Sequence, residues 1–575
     1  MTISYDWMVP NFRDSVWLVV PVLLLLALYW PGLTSWFQQD DFGWLNMRHD
    51  MHSARDLALA LFAPKAHGNM RPLGENAYWL GLSALFGMNA LPFHLVAFLT
   101  QAASLLLLAA IVRRVTGSRW VGMCAAVLWA VNAGLAYSLG WCSIYNQVLS
   151  GFFLLLAFYW MLRWIESGGR QFAMAHWTAF VLGLGALEIN VVYPALAVLY
   201  AVMFARPYVK RILPMFAVSA AVVALHFYFA PPPAGGVYAP RVDGAMLTTL
   251  RTYWEWGLGS MAAPLTVLAV AVIGWGVWRR EYLALLGLGW FVIPLLPYLP
   301  LPEHRMTYYL AVPAIGIAIL GACAIGRAPV VASLALLLYV APNVQASWTA
   351  TRWQHARAER MEDLVLGVEE IHESAPDKTI VLDGIDNHLF WSGVADLPFR
   401  AAGIPRVYLA PGSATYIQAV PGLLSKYILP GRLARGALVY RFDGQMLHEE
   451  KARAWSDEEP RFVNLGDPVF AEMLGAGWEA AKDGTRRMER RGTFRIAGRE
   501  GTGESLYLGV FETRPLAWSV RVNGAEVRVE LVRRDNDVSE YRAVLPAALM
   551  GTKLMEVSVE CNLQGGLLFG YAEVR

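Results

Sequence analysis

The stretch LPFHLVAFLTQAASLLLLAAIV, residues 91–112, decides the fold. It contains no Asp, Glu, Lys or Arg, and it is longer than the ~20 residues that an α-helix needs to cross the hydrocarbon core of a bilayer. A run of this length and composition predicts a transmembrane helix. Further apolar runs lie on both sides of it, and together they predict a polytopic α-helical membrane protein with about 11–13 spans.

The other predicted spans begin near the N-terminus. The segment Met1–Asp14 has few basic residues and no small-residue cleavage site after it, so we expect an uncleaved first span. The remaining predicted spans are Val16–Trp30, Ala77–Phe86, Trp120–Gly140, Val148–Trp164, Trp177–Leu187, Val191–Phe204, Ile212–Ala230, Ala263–Trp278, Tyr282–Pro300, Tyr308–Ile325 and Val330–Val340.

The composition agrees with a membrane location. The 575 residues are 56% hydrophobic and 16% charged, whereas soluble domains carry about 25% charged residues. The 23 Trp and 24 Tyr residues fit aromatic belts at the membrane interfaces. A net charge of +2 gives no reason to expect a nucleic-acid partner. The cysteines have no metal-type spacing, and we interpret them as small buried hydrophobic residues.

The charged residues divide the chain into domains. They are sparse from Ala77 to Gln345 and dense afterwards, which predicts a transmembrane domain over 1–345, with a long first outward loop over 31–75, and a soluble remainder. In that remainder we predict a helix and an α/β segment over 346–492. Alternating apolar residues around the hairpin signal Asn523-Gly524 predict a β-sandwich over 493–575.

Basic clusters predict the orientation in the membrane. Arg113-Arg114, Lys210-Arg211 and Arg279-Arg280 stand in short loops, which favours a cytoplasmic position for each of them. Counting forward from Arg279 then places the C-terminal domain outside the cytoplasm. The early chain conflicts with this count, because a crossing at Ala77–Phe86 would bring Arg113-Arg114 outside. Either that run does not cross, or the count is wrong elsewhere.

Two adjacent acids, Asp40 and Asp41, follow the first span within Gln38–Phe42. Adjacent carboxylates at the mouth of a helix bundle repel each other and lose hydration, so they indicate a functional site. One could take the proton of an attacking hydroxyl while the other positions the acceptor, binds a divalent metal or raises its neighbour's pKa. The alternative is a helix N-cap in a solvated loop.

Four motifs follow one another along the chain: the acidic pair, Arg71-Pro72-Leu73 with Tyr78-Trp79, Leu85-Phe86-Gly87, and Arg305…Tyr308 before a late span. Their order resembles the GT-C superfamily, whose members move sugars from polyprenyl-phosphate carriers onto acceptors. The segment after Arg71 resembles that of bacterial enzymes of the aminoarabinose-transferase and protein-mannosyltransferase type, although this chain lacks one proline of their basic-Pro-Pro-Leu motif and has Phe93-His94 where an Arg is common.

The resemblance implies an inverting membrane glycosyltransferase of the cytoplasmic (inner) membrane with its site on the outer face. The donor would be a polyprenyl-phosphate-linked sugar, since nucleotide sugars are absent on that side, and the acceptor a hydroxyl of a glycan, lipid or protein. Either Asp40 or Asp41 could be the general base, and Asp40 matches the first acid of the family's pair. A divalent metal could bind beside Asp40 and Asp41, although donors with a phosphate leaving group need not have one.

Further candidate residues fall into two groups. Those expected to contact the donor phosphate could instead pair with acids or anchor helix ends; they are Arg71, His304, Arg305 and Tyr308. Those expected to line the substrate cavity include an intramembrane acid that could instead pair with an Arg from another span; they are Lys65, Glu75, Tyr145, Asn146 and Glu188.

Two other functional classes remain open. A transporter or flippase for a lipid-linked glycan would explain Glu188, but transporters commonly show repeats with matching broken helices, and the sequence shows none. A membrane-anchored binding protein would need neither the acidic pair nor a dozen spans.

Overall fold

The computed structural model describes residues 12–64, 69–233, 235–419, 423–450, 459–482, 484–499, 503–512, 516–535, 538–549, 554–563 and 566–575. The chain forms two compact units, Met1–Met361 and Glu362–Arg575. The candidate residues Lys65 and the neighbouring His67 lie outside the described residues.

The regular secondary structure described in the first unit is helical. Its helices are α1 (Phe12–Leu33), α2 (Asp41–Asn46), α3 (Ala54–Phe62), α4 (Tyr78–Phe86), α5 (Leu91–Thr116), α6 (Arg119–Ala130), α7 (Leu135–Gly140), α8 (Tyr145–Ser167), α9 (Arg170–Leu184), α10 (Tyr193–Phe204), α11 (Val209–Ile212), α12 (Pro214–Phe229), α13 (Ala245–Leu258), α14 (Ala262–Arg279), α15 (Leu283–Leu295), α16 (Ala314–Arg327) and α17 (Pro329–Ser374). The last of these helices continues into the second unit.

Several helices have the length and polarity of membrane spans. Among the described residues, four helical stretches are long and apolar enough to cross a bilayer; they are Leu91–Thr116, Cys142–Ser167, Arg206–Phe229 and Ala245–Arg279. Shorter apolar helices accompany them, and each predicted run corresponds to helical structure in this unit. The fold is therefore that of a helical membrane protein, as the hydropathy predicts, and the number of spans stays a prediction.

The predicted span Trp120–Gly140 is two helices rather than one. The chain turns between α6 and α7, and Asn132 lies buried in that turn. Its amide nitrogen donates to the carbonyl oxygen of Gly257 (2.9 Å) and to the Tyr339 hydroxyl (2.8 Å). A break inside an apolar unit is tolerated when such partners satisfy the polar groups that it frees.

Helix α4 is short for a membrane span. It has nine residues, which rise about 14 Å, less than half of the ~30 Å hydrocarbon core. Its length favours the alternative in which Ala77–Phe86 does not cross and Arg113-Arg114 lies on the predicted cytoplasmic side. The early topology itself stays a prediction.

The long loop after α1 contains the short helix α3 (Ala54–Phe62). Ser53 begins α3 by accepting a hydrogen bond from the backbone N–H of Asp56 (3.2 Å), a typical N-cap. Leu57, Leu59 and Phe62 are exposed on it. An apolar exposed face of this kind suits a helix that lies along a membrane interface.

The second unit begins with an α/β segment. Its strands are β1 (Ile380–Asp383), β2 (Val407–Leu409), β3 (Leu438–Phe442) and β4 (Leu447–Glu450), and its helices are α18 (Asn387–Ser392) and α19 (Pro398–Ala401). The sheet order is β2-β1-β3-β4, and only β4 is antiparallel. The acidic turn after β1 has a structural role, because Asp386 caps α18 by accepting from the N–H of Leu389 (2.7 Å).

Two antiparallel sheets complete this unit. One has the order β10-β9-β13-β7 and the other β11-β12-β8-β14-β5, with β6 also on β14. Asn523 and Gly524 have φ of 49° and 84°, as the predicted two-residue hairpin requires. The strands are β5 (Phe462–Asn464), β6 (Arg486–Met488), β7 (Arg491–Ala497), β8 (Glu504–Val510), β9 (Trp518–Val522), β10 (Ala525–Val527), β11 (Val529–Asp535), β12 (Val538–Leu545), β13 (Leu554–Cys561) and β14 (Leu567–Val574). The sheets thus take in β5 and β6, which precede residue 493.

Candidate active site

The two adjacent acids have opposite environments. Asp41 is fully buried, and both of its carboxylate oxygens accept hydrogen bonds. One accepts from the backbone N–H (2.8 Å) and the hydroxyl (2.5 Å) of Ser143, and the other from the backbone N–H of Gln38 (3.0 Å). Burial and the charge of Asp40 raise the pKa of Asp41 well above its usual range, and these hydrogen bonds oppose the rise. Asp41 therefore ties the loop after α1 to the segment before α8.

Replacing Asp41 with Asn is expected to destabilise the fold. The oxygen of the new asparagine side chain can still accept the hydrogen bonds of Ser143. Its NH₂ group then faces the backbone N–H of Gln38, which loses its acceptor. A buried donor without a partner costs about 1–3 kcal/mol. We expect a lower thermal unfolding midpoint in detergent for Asp41→Asn than for Asp40→Asn. Equal midpoints for the two variants would contradict the structural role of Asp41.

Asp40 is exposed, in contrast to its neighbour. It stands at the N-cap position of α2 but makes no capping hydrogen bond, so the N-cap alternative does not explain its side chain. Burial and the charge of Asp40 raise the pKa of Tyr238, while Arg71 lowers it. Asp40, Arg71 and Tyr238 are therefore within electrostatic range of one another.

Arg71 is paired with two carboxylates that come from different parts of the chain. Its Nε donates to Glu188 (2.7 and 3.0 Å), and its Nη1 to Glu75. Glu75 also accepts from the amide of Asn146 (2.7 Å). Burial acts to lower the pKa of Arg71, but the charges of Glu188 and Glu75 outweigh it and raise the pKa. Of the alternatives that the sequence leaves open for Arg71 and Glu188, the structure shows the ion pair.

A π-helical turn and a glycine bring this ion pair together. Residues Pro72–Ala77 form the π-helix, a feature that is frequent at functional sites. The backbone N–H groups of Leu73 and Gly74 both point to the carbonyl oxygen of Gly185 (2.9 and 3.3 Å). This close approach of two backbones holds Glu188, three residues beyond Gly185, beside Arg71.

Gly74→Ala is expected to disturb both stability and activity. A Cβ at this position would lie far inside van der Waals contact with the carbonyl oxygen of Ala186, so one backbone has to move. Overpacking of this kind costs about 1–3 kcal/mol, which thermal unfolding in detergent should detect. The matched control is Gly81→Ala in α4, where a Cβ meets nothing within 4 Å and alanine favours the helix. A Gly74→Ala variant as stable as the control would contradict this account.

Aromatic side chains from two loops complete the cluster. The rings of Tyr238 and His304 are 4.3 Å apart, and those of Tyr298 and Tyr309 stack at 3.9 Å. Gln147, next to Asn146 on α8, donates to the Tyr298 hydroxyl (3.2 Å). Burial lowers the pKa of His304, so its imidazole is neutral at pH 7. Aromatic faces beside carboxylate and amide groups are suited to contact a sugar.

Apart from Asp41 and the undescribed Lys65, the predicted residues divide into three sets. Those of the polar and aromatic cluster are Arg71, Glu75, Asn146 and Glu188, joined by hydrogen bonds, and His304 and Tyr308, which contact the rings of Tyr238 and Tyr309. Asp40 lies within electrostatic range of this cluster. Tyr145 is buried and stacks on Tyr78, with ring centroids 4.2 Å apart. It lies next to Asn146 in the sequence and packs within the protein. Arg305 is exposed and donates to the Thr252 hydroxyl (3.1 Å).

Sequence reasoning missed several members of this cluster. Tyr238 stands in the Pro- and Gly-rich loop between α12 and α13, and Ser143 lies within an apolar segment. Tyr298 lies near the end of a predicted span. None of these positions belongs to a motif, and only their three-dimensional neighbours distinguish them from other tyrosines and serines.

The carboxylate of Asp41 is largely occupied by hydrogen bonds. Its oxygens accept from Gln38 and Ser143 in three bonds, out of about four lone-pair positions that a carboxylate offers. Across the described residues, no group of three or more His, Cys, Asp or Glu side chains is arranged to hold a metal ion. A divalent metal at Asp40 and Asp41 stays a prediction, and the contacts of Asp41 make it a structural anchor of the loop.

Comparison with known proteins finds similarity in solved structures and none in sequence. No protein-family model matches this chain, and no curated protein sequence does. A solved structure of ArnT from Cupriavidus metallidurans bound to undecaprenyl phosphate is similar over 75% of this chain and 93% of that one, with 13% identity and a TM-score of 0.40.

Two larger proteins are also similar. The Archaeoglobus fulgidus oligosaccharyltransferase, in complex with Zn and sulfate, matches over 65% of this chain and 61% of that one (14% identity, TM-score 0.35). The arabinosyltransferase EmbB from Mycobacterium smegmatis matches over 100% of this chain and 65% of that one (12% identity, TM-score 0.35). This chain thus spans less than two thirds of either. All three are GT-C glycosyltransferases, the superfamily that the motifs resemble. At these identities and TM-scores the likeness assigns no substrate or residue role to this chain.

Proposed function

We propose that this chain is a membrane glycosyltransferase that moves a sugar from a polyprenyl-phosphate donor to an acceptor hydroxyl. The observation that carries the proposal is the exposed carboxylate of Asp40 beside a polar and aromatic cluster at one end of a helical membrane unit. The adjacent Asp41 is fully engaged as an anchor, so Asp40 is the acid of the pair that can meet a substrate.

The position of the cluster within the bundle supports a site on the outer face. Asn146 starts α8, and Glu166 near its end pairs with Arg114 at the end of α5 (2.7 Å). The 23 residues of α8 rise about 34 Å, so the cluster and this basic end are a membrane thickness apart. Because basic loops favour the cytoplasm, the cluster belongs to the opposite face, where lipid-linked sugars are the available donors.

The charges of the cluster suggest how a donor would be oriented. Arg71 is shared by two carboxylates, so its surroundings are negative overall and unfavourable for a phosphate. Arg305 follows His304 directly, and its described hydrogen bond goes to the neutral hydroxyl of Thr252. A guanidinium binds phosphate oxygens in a bidentate manner. In our proposal Arg305 contacts the donor phosphate, while the sugar lies against Tyr238 and the carboxylates.

The proposed reaction is a direct displacement. The acceptor oxygen forms a bond to the anomeric carbon while the bond from that carbon to the phosphate oxygen breaks. Asp40 takes the proton of the acceptor hydroxyl, and the polyprenyl phosphate leaves with the bonding electrons. A single displacement inverts the configuration at the anomeric carbon, and general-base assistance contributes about 10²–10⁴-fold to such a step.

The test is turnover of a panel of polyprenyl-phospho-sugars by the full-length chain in liposomes, with a lipid, a glycan and a peptide as acceptors. Transfer from one donor, with inversion, would support the proposal and name the sugar. Movement of a lipid-linked glycan across the bilayer without transfer would favour the flippase alternative. No transfer from any donor to any of these acceptors would count against the proposal.

A further inference from the structure

The backbone next to Asp40 adopts a conformation that needs support from its surroundings. Gln39 has a φ of 52°, in the left-handed region that residues with a Cβ rarely occupy. Such a conformation persists only where neighbouring groups over-determine it, and it occurs often at functional sites. The contacts that hold Gln39 in this conformation therefore also determine how the side chain of the next residue, Asp40, is oriented.

The residues on either side of Gln39 and Asp40 are anchored to one segment. The amide nitrogen of Gln38 donates to the carbonyl oxygen of Gly140 (3.1 Å), and Asp41 is held by Ser143. These bonds tie the two ends of the turn to residues 140–143, but they do not involve the Gln39 side chain.

The side chain of Gln39 is bound by Arg357 on α17. With its amide oxygen assigned to the side of the guanidinium, Gln39 accepts two hydrogen bonds from Arg357, at 2.6 and 3.1 Å. The guanidinium lies 5.3 Å from the ring centroid of Trp353, and Arg357 is only 8% exposed. One turn earlier, the side chain of Gln354 packs against Gly140. Helix α17 therefore contacts the turn itself through Arg357 and, through Gln354, the residue Gly140 to which the turn is hydrogen-bonded.

We infer that Arg357 is a positioning residue for Asp40. Its two charge-assisted hydrogen bonds hold Gln39 in the left-handed conformation, and that conformation orients the carboxylate that the proposed function uses as the base. The inference rests on that function only for its effect on turnover. The effect on the loop itself does not depend on which reaction, if any, the protein catalyses.

The experiment compares Arg357→Met with Arg352→Met in the full-length protein. Arg352 is an exposed arginine of the same helix that stacks on Trp348, so its replacement controls for the loss of one charge from α17. Hydrogen exchange reports on the loop, because the N–H groups of Asp41 and Phe42 bond to the carbonyl oxygens of Gln38 and Gln39 (3.2 and 3.3 Å). We expect these two amides to exchange at least tenfold faster in Arg357→Met and at the parental rate in Arg352→Met.

Turnover gives the second readout. A displaced base lowers kcat, on the order of ten- to a hundredfold, and leaves the KM for the donor unchanged. Adding Gln39→Gly to Arg357→Met should restore part of kcat, since glycine adopts a positive φ without support; a purely structural loss would not be rescued in this way.

The outcomes separate the two proposals. Unchanged exchange of the Asp41 and Phe42 amides in Arg357→Met would overturn the positioning role, whatever the activity. A parent protein without glycosyl transfer would overturn the proposed function, and the exchange rates would still decide the role of Arg357.

Discussion

Asp40→Asn is expected to lower kcat for glycosyl transfer by about 10²–10⁴-fold, the usual contribution of a general base. The amide has nearly the shape of the carboxylate but cannot take the proton of the acceptor hydroxyl. Because Asp40 is exposed whereas Asp41 is buried, its replacement should lower the unfolding midpoint less than Asp41→Asn does. The measurement is initial rates at saturating donor in liposomes, with binding of the donor followed separately.

The control for this variant is Asp50→Asn, which removes another exposed carboxylate from the same loop. It should retain the parental kcat. If Asp40→Asn turned over donor at the parental rate, Asp40 would not be the base. Glu75 and Glu188 would then be the remaining candidates for that role in the cluster.

Arg71→Met is expected to give the largest loss of stability among the variants considered. It leaves Glu75 and Glu188 without the cation between them, and Glu75 is almost fully buried. Removing one partner of a buried ion pair costs about 3–5 kcal/mol, because an uncompensated charge stays behind. Thermal unfolding in detergent should therefore show a much lower midpoint, and turnover should fall with it.

A second Arg–Glu pair provides the matched control. Arg251 and Glu255 lie four residues apart, as Arg71 and Glu75 do, and Arg251 Nε is 2.7 Å from Glu255, but both side chains are exposed. Arg251→Met should leave the midpoint unchanged within error, since this exposed pair precedes the predicted span Ala263–Trp278 and water there screens it. Combining Arg71→Met with Glu75→Gln and Glu188→Gln should recover part of the lost stability. Equal effects of Arg71→Met and Arg251→Met would contradict the buried-pair account.

The membrane unit was largely predictable because bilayer insertion imposes a strong rule. Apolar runs such as residues 91–112 have no stable alternative to a helix in a membrane, so hydropathy alone located α5. The break at Asn132 was not predictable, because its partners Gly257 and Tyr339 are far away in sequence. In the second unit, Asn523-Gly524 predicted its hairpin since few residue pairs adopt two positive φ angles.

The sequence singled out some residues of the polar cluster, but neither Tyr238 and Tyr298 nor the contacts between the cluster residues. Arg71 and Glu188 each attracted attention as charges in apolar surroundings, yet nothing local indicates that they pair with each other. The difference between Asp40 and Asp41 depends on Ser143, about a hundred positions further along the chain. Gln39 and Arg357 carry no motif, and only the backbone conformation of Gln39 singles them out.

The separation of roles between Asp40 and Asp41 has a consequence for large-scale mutagenesis. A screen that scores the amount of folded protein in the membrane should mark position 41 as intolerant and position 40 as permissive. A screen that scores the product should find both positions intolerant. Two neighbouring aspartates would then differ in their tolerance to substitution in the first screen and agree in the second. For the other cluster residues, the difference between the two scores at each position would separate residues that act on substrate from residues that only stabilise the bundle.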